Sequence, residues 1–402
     1  MNVFSPLFVM CLQFIAVLFA APAFAGWVRM VKCWFQGRKS AGLFQPYRDI
    51  FKLLHKDVVL AENASWIFRF TPFLVFGTTV LAGVIIPILS IDLPLSATAD
   101  AIALVALFTI ARFFTALAGL DIGTAFGGMG SSREKTVASM SEPAMLMAIF
   151  TVSLVSQSTS ISHMVNVIAH GEFVLRPSLA FALLAFILIA LAETGRIPVD
   201  NPATHLELTM IHEAMILEYS GRHLALIEWA GMMKLFLFTT LGIALFFPWG
   251  IAAAGDITFL PVAILLLLIK LFFAGIGLVL IETGLAKMRL FRIQEFLGSA
   301  FLFATLGLLS YFMLEEYIYE HCSTDKQYPC SPGASYGLRT PRPKEDIRII
   351  TPVCMAGTLP FNKHRSSRLC SKAAPPVYLV YPDPGPEGNS APLYPAHTNS
   401  PA

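Results

Sequence analysis

Eight apolar runs dominate this sequence and limit what it can fold into; they lie at residues 4–25, 68–90, 99–120, 142–162, 176–193, 230–250, 258–283 and 293–314. A helix needs about 20 mainly apolar residues to cross the hydrocarbon core of a bilayer. No water reaches backbone N–H and C=O groups there, so a spanning segment must satisfy them within itself. The expected fold is all-α, a polytopic membrane protein with eight transmembrane helices. Only 13% of residues are charged and 56% are hydrophobic, whereas a soluble domain carries about 25% charged residues. That balance excludes a soluble enzyme, and no nucleic-acid partner is expected. The first run closes on Ala23-Phe24-Ala25, which looks like a signal-peptidase site. Basic residues follow it rather than precede it, so an uncleaved first helix is expected.

Lysines and arginines orient the bundle. Loops on one side carry 14 of them: Arg29, Lys32, Arg38, Lys39, Arg48, Lys52 and Lys56; Arg133 and Lys135; Arg196 and Arg222; and Lys287, Arg289 and Arg292. The three opposite loops hold a single one, Arg176. The loaded side is therefore the cytoplasmic one, with the N-terminus outside and the large charged loops inside a bacterial or archaeal inner membrane.

The inward loops hold the polar chemistry. Segment 43–56 places Tyr47, Ile50, Phe51 and Leu54 at helical spacing with Arg48, Asp49, Lys52 and Lys56 opposite, which suits a helix lying along the membrane surface. In segment 121–142, Gly127, Gly128 and Gly130 are expected to let the backbone fold tightly, with Ser131 or Ser132 capping the next helix and Glu134 near its positive end. The glycine-lysine signature of a phosphate loop is missing from it. Loop 193–229 is the densest in carboxylates, with Glu193, Asp200, Glu207, Glu213, Glu218 and Glu228. Mixed carboxylate and arginine clusters at an apolar boundary can pass protons near neutral pH; a solvated surface helix would read the same way. His205, Glu207 and His212 lack metal-ligand spacing, and an ordinary interfacial histidine is commoner. Arg112 and Lys270 fall well inside predicted spans, where a charge costs roughly 2.5–3.5 kcal/mol and calls for a buried partner or a water-filled path. Cys11 and Cys33 are the only cysteines before residue 320 and form no paired ligand set, so no cofactor is expected in this chain.

These loops resemble a known family, the subunit 1 family of respiratory complex I and its hydrogenase relatives. Residues 38–57 (RKSAGLFQPYRDIFKLLHKD) are similar to its first cytoplasmic loop, and residues 128–143 (GMGSSREKTVASMSEP) to its second. Residues 191–221 (LAETGRIPVDNPATHLELTMIHEAMILEYSG) resemble the pattern "AExxRxPFDxxExExELxxGxxxEYSG", and residues 286–298 stand where the family has an arginine-rich loop. The likeness covers residues 1–318. Residues 111–134 (ARFFTALAGLDIGTAFGGMGSSRE) are similar to the branch of formate hydrogenlyase subunit 4 and hydrogenase-4 component C. Ala203 and His205 replace glutamates of complex I, and Ser141-Glu142 lack the tyrosine that stands between them there, which weakens transfer of a quinone site.

The resemblance implies a non-catalytic membrane anchor and coupling subunit of a group 4 nickel–iron hydrogenase or formate hydrogenlyase-like complex. Implied partners are a hydrogenase-type large subunit, an iron–sulfur small subunit and antiporter-like membrane subunits; these carry the 4Fe–4S clusters and the nickel–iron centre. By the same resemblance Glu142, Glu193, Arg196, Asp200, Glu207 and Glu218 form the inward end of a charged path for H+ or Na+. Lys270 continues that path, Arg112 and Arg133 are charge partners, and Arg289 and Arg292 meet docked subunits. The alternatives are a quinone-site subunit of NADH:quinone oxidoreductase and a stand-alone ion transporter. The latter often shows inverted repeats, and the two halves of this sequence share none.

Residues 319–402 differ in character. From residue 321 on they hold 14 of the 26 prolines and four of the six cysteines, with no run long enough to span. Such composition favours disorder. A disulfide between Cys322 and Cys330 is conceivable outside the cytoplasm, and a frameshift or readthrough origin is the simplest expectation.

Overall fold

Each of the eight apolar runs is a helix in the computed structural model, which describes residues 4–90, 100–170, 176–196, 211–251, 260–284 and 292–315. Eleven α-helices follow one another among these residues: α1 (Phe4–Phe35), α2 (Gln45–Leu54), α3 (Trp66–Ile85), α4 (Ala101–Asp121), α5 (Ala125–Ser156), α6 (Ile161–His170), α7 (Pro177–Glu193), α8 (His212–Ile216), α9 (Gly221–Phe246), α10 (Leu260–Gly284) and α11 (Ile293–Ser310). By internal contacts the chain divides into two units, and the first, Met1–Gly337, contains every described helix. Asp200, Glu207, His205, Arg289 and the Pro-rich segment 319–402 lie outside the described residues.

Seven helices are long and apolar enough to cross a membrane. The eighth apolar helix, α7, has 17 residues, about 26 Å at the helical rise. Two helices are longer than their apolar runs. α1 continues unbroken through Ala23–Ala25 to Phe35, and α5 begins 17 residues before its run and reaches Ser156. The glycine-rich segment is therefore not a loop capped by Ser131 or Ser132. Thr124 is the cap, its hydroxyl accepting from the Gly127 amide. The Ser131 hydroxyl donates instead to the Ala116 carbonyl of α4, 2.8 Å away. Gly127 lies against the Gly119 carbonyl, where a Cβ would collide with backbone. Gly127 lets α4 and α5 touch and Gly130 lets α8 approach α5; neither shapes a turn.

Close approach recurs through the bundle. Helices gain no hydrophobic driving force against one another in lipid, so small residues that permit intimate packing carry the association. Ala21, Ala82, Ala118, Ala144, Ala182, Ala185, Ala225, Ala300 and Ala304 are all buried. α11 packs on α7 and α5, α3 on α4 and α9, and α1 on α9 and α10. Phe108, Phe186, Phe236 and Phe238 fill the centre.

Two interior prolines show how backbone groups are satisfied without water. A proline at position i leaves the carbonyl of i−4 without its N–H donor. Pro22 in α1 orphans the Leu18 carbonyl, which accepts from the Trp229 indole N–H of α9 at 3.1 Å. Pro72 in α3 orphans the Phe68 carbonyl, which accepts from the Tyr219 hydroxyl at 3.1 Å. The Tyr219 ring stacks on Phe68 with centroids 3.9 Å apart, and burial raises its phenol above the ordinary value. Each proline thus fixes a helix–helix contact. Tyr219→Phe is expected to cost on the order of 1 kcal/mol in detergent unfolding. The same substitution in a Pro72→Ala background should cost less, because the alanine returns a backbone N–H to the Phe68 carbonyl.

Candidate functional site

Arg112, one of the two charges that the sequence places inside predicted spans, joins a cluster of charged side chains from three other helices. Arg112 projects from α4 and is only 7% exposed. Its Nε lies 2.6 Å from Glu134 Oε1 of α5, and its Nη1 lies 2.6 Å from Glu193 Oε1 at the end of α7. Nη1 also donates to the Ser141 hydroxyl at 2.7 Å, which itself donates to Glu193 Oε1 at 2.8 Å. Lys234 of α9 donates to the other Glu193 oxygen at 2.8 Å. Two carboxylates and two cations thus form a balanced cluster joining four helices. Glu142, one residue past Ser141, is half-buried within electrostatic reach of Arg112, Glu193 and Lys234. It is a fifth charge beside a set already neutral.

Local sequence explains the convergence. Glu134 and Ser141 are seven residues apart on α5 and so share one face of that helix, where Arg112 of α4 reaches both. Glu193 ends α7, and Lys234 lies 13 residues into α9 from Gly221, roughly 20 Å along the axis. A buried charge survives only with partners, and each of these four has at least one.

A cavity of about 850 Å³ leads to this cluster. Arg112, Glu134, Glu193 and Lys234 line its buried end; the more exposed Arg29, Asp49, Lys52 and Lys56 line its opening. Glu228, His212 and Glu213 stand along its walls. The polar lining connects the basic loops with the buried carboxylate of Glu193.

A second ion-pair group lies nearby. Glu282 of α10 takes Lys32 Nζ of α1 at 2.5 Å and Arg196 Nη1 at 3.1 Å. Burial pulls the Arg196 guanidinium below its ordinary value, while Glu282 works the other way.

Of the residues proposed from sequence, Glu142, Glu193 and Arg112 come together, and Arg196 lines the same cavity. Arg133 is half-buried on α5, Arg292 is exposed at the start of α11, and Glu218 is exposed after α8. Lys270 is elsewhere. Its ammonium donates to the Phe247 carbonyl at 2.7 Å and to the Trp249 carbonyl, both just past the end of α9. Phe247 is 13 residues beyond Lys234, roughly 20 Å farther along. A cation at a helix C-terminus meets the negative end of the dipole, so position alone explains Lys270.

Lys234 and Glu282 are absent from the residues that charge and spacing single out. Lys234 sits four residues inside a predicted span, and the rule that flags Lys270 flags it equally. Glu282 sits at the inner end of a span, opposite the basic loops that supply both its partners.

Residues 8–313 match the sequence profile of the family described as NADH dehydrogenase. The chain belongs to that family. It is 31% identical to formate hydrogenlyase subunit 4 of Escherichia coli over 295 residues, which is 73% of this chain and 95% of the relative. Hydrogenase-4 component C of the same organism is 30% identical over 295 residues, 73% of this chain and 92% of its own. NADH-quinone oxidoreductase subunit 8 of Rhodothermus marinus is 28% identical over 211 residues, 52% of this chain and 61% of its own. A chain of the membrane-bound sulfane sulfur reductase, an archaeal respiratory membrane complex, shares the fold with TM-score 0.66 at 20% identity, covering 77% of this chain and 100% of that one. The likeness to the hydrogenase branch read from residues 111–134 therefore holds, and this family member is a multi-pass membrane protein.

Removing Arg112 takes the ion-pair partner from Glu134 and leaves Glu193 with Lys234 alone. Arg112→Ala is expected to cost about 3–5 kcal/mol, read by thermal unfolding in detergent. Combining Arg112→Met with Glu134→Gln should restore part of that loss, since Glu193 and Lys234 then remain as a neutral pair.

Proposed function

We propose that this chain is the membrane anchor and coupling subunit of a group 4 hydrogenase or formate hydrogenlyase-like complex. It docks a cytoplasmic redox arm, consisting of a hydrogenase-type large subunit and an iron–sulfur small subunit, and links that arm to H+ or Na+ movement through antiporter-like neighbours in an inner membrane. The observation that carries this reading is the cavity ending on Glu193, a carboxylate held between Arg112 and Lys234 at membrane depth. Identity of 30% and above to two hydrogenase-complex subunits over nearly their whole length supports the choice of complex.

In this reading the cavity brings water and protons from the inner loops to the balanced cluster. Glu142, the surplus carboxylate, takes up and releases the proton, and Glu193 sets the field around it. Moving Lys234 or Arg112 by an ångström would change that field steeply, since charges at this depth are weakly screened. A redox event in the docked arm that shifts α5 or α7 thereby drives proton release.

The test uses the assembled complex in proteoliposomes. Glu142→Gln and Glu193→Gln are expected to leave subunit composition and redox turnover of the complex intact while abolishing ion movement. Loss of assembly instead would make these residues structural and overturn their assignment to the path. Lys270→Met is measured beside them. Retained coupling with a lower melting temperature is expected from its place at the end of α9; lost coupling would extend the path across the membrane.

A further inference from the structure

α2 is sunk beside α1 rather than standing clear of it. The candidate span of α1, Phe8–Phe35, has 28 residues, about 42 Å, against a hydrocarbon core of about 30 Å. Arg29 is the first charged residue of the chain, so the last turns of α1 run on into the headgroup layer. α2 packs below that point. Its Tyr47 hydroxyl donates to the Phe19 carbonyl, and Leu43 and Pro46 press on Gly26, which has no room for a Cβ. The helix therefore lies alongside residues 19–29 of α1, at the boundary between acyl chains and headgroups.

The two faces of α2 differ. Pro46 and Ile50 are buried against the bundle, and Asp49 turns toward Arg29 at the cavity. The opposite face exposes Phe44 and Phe51, each 66% exposed, with Arg48 between them. The last turn of α1 adds Trp34, 77% exposed, and the connection to α2 adds exposed Arg38 and Lys39. Water alone would leave these aromatic rings badly solvated, and acyl chains alone would leave the cations without counter-charge. A layer that is apolar below and negative above suits both, with arginine and lysine reaching upward from an immersed stem.

We propose that the outer face of α2, together with residues 34–39, binds the headgroups of anionic phospholipids. Phe44, Phe51 and Trp34 seat in the acyl boundary, and Arg38, Lys39 and Arg48 pair with phosphate. The charge of the face selects the occupant: its exposed side carries cations and aromatics, while the acid of the helix faces inward. The cavity residues are not required, so this inference stands apart from the proton path.

The experiment reconstitutes the full-length protein in nanodiscs of equal phosphatidylglycerol and phosphatidylcholine, extracts it in mild detergent, and counts retained lipids by native mass spectrometry. The wild type should retain phosphatidylglycerol in excess. Arg38→Gln, Lys39→Gln and Arg48→Gln combined should collapse that excess, each cation contributing up to about fivefold. Arg48→Gln alone should lower it, whereas Arg292→Gln, the same single charge change elsewhere, should leave it unchanged. An undiminished ratio in a triple variant with wild-type melting temperature would overturn the proposal. So would a variant that keeps its lipid but no longer retains a soluble subunit, since the face would then dock protein. If the triple variant fails to fold, Arg48→Gln alone is read by the same criterion.

Discussion

Arg112 is the residue on which the arrangement of the inner half of the bundle depends. A guanidinium at membrane depth demands counter-charge and hydrogen-bond partners. Glu134 from α5 and Glu193 from α7 supply the charge, and Ser141 supplies a further acceptor. Glu193 then has a second oxygen to satisfy, which brings in Lys234 and with it α9. One buried cation thus dictates the relative placement of four helices. Hydrophobic burial cannot supply that specificity here, because lipid tails are as apolar as the side chains that face them.

The same logic governs neutral groups. With no water to accept or donate, the carbonyls freed by Pro22 and Pro72 find partners elsewhere in the bundle, and Trp229 and Tyr219 fill that need. Serine and threonine hydroxyls turn back onto their own helices, as Thr79 does to Val75 and Thr240 to Phe236. Gln13 closes the end of α3 by donating to the Gly83 and Ile86 carbonyls. Polar residues inside this bundle therefore act mostly as positioning devices, and the charged cluster stands out because it opens onto a cavity.

α10 illustrates how loosely an apolar helix can be attached. Much of its surface is exposed, with Leu265, Leu268, Phe273 and Leu280 outward. It is held at separated points: Lys270 on the end of α9, Trp27 stacked on Phe272 with centroids 4.6 Å apart, and Glu282 between Lys32 and Arg196. Two polar pins and one aromatic stack fix its register against the rest.

Fold class, the positions of the apolar helices and the family were all legible in the linear chain. Length and hydropathy are sums over neighbours in the chain, and a bilayer tests little else. Arg112 was marked there as a charge in an apolar run, Glu193 as part of a carboxylate-dense loop, and Glu142 through the family resemblance. The start of α5 was misplaced, because glycines that permit a close helix contact look the same as glycines that permit a turn. Lys234 and Glu282 were overlooked near the ends of their runs. Which charges pair is a property of the folded bundle alone, for pairing joins residues 20 to 250 positions apart. Folding also separated Lys270 from the cluster: depth and helix direction put that ammonium over the last carbonyls of α9, a distance no spacing rule along the chain records.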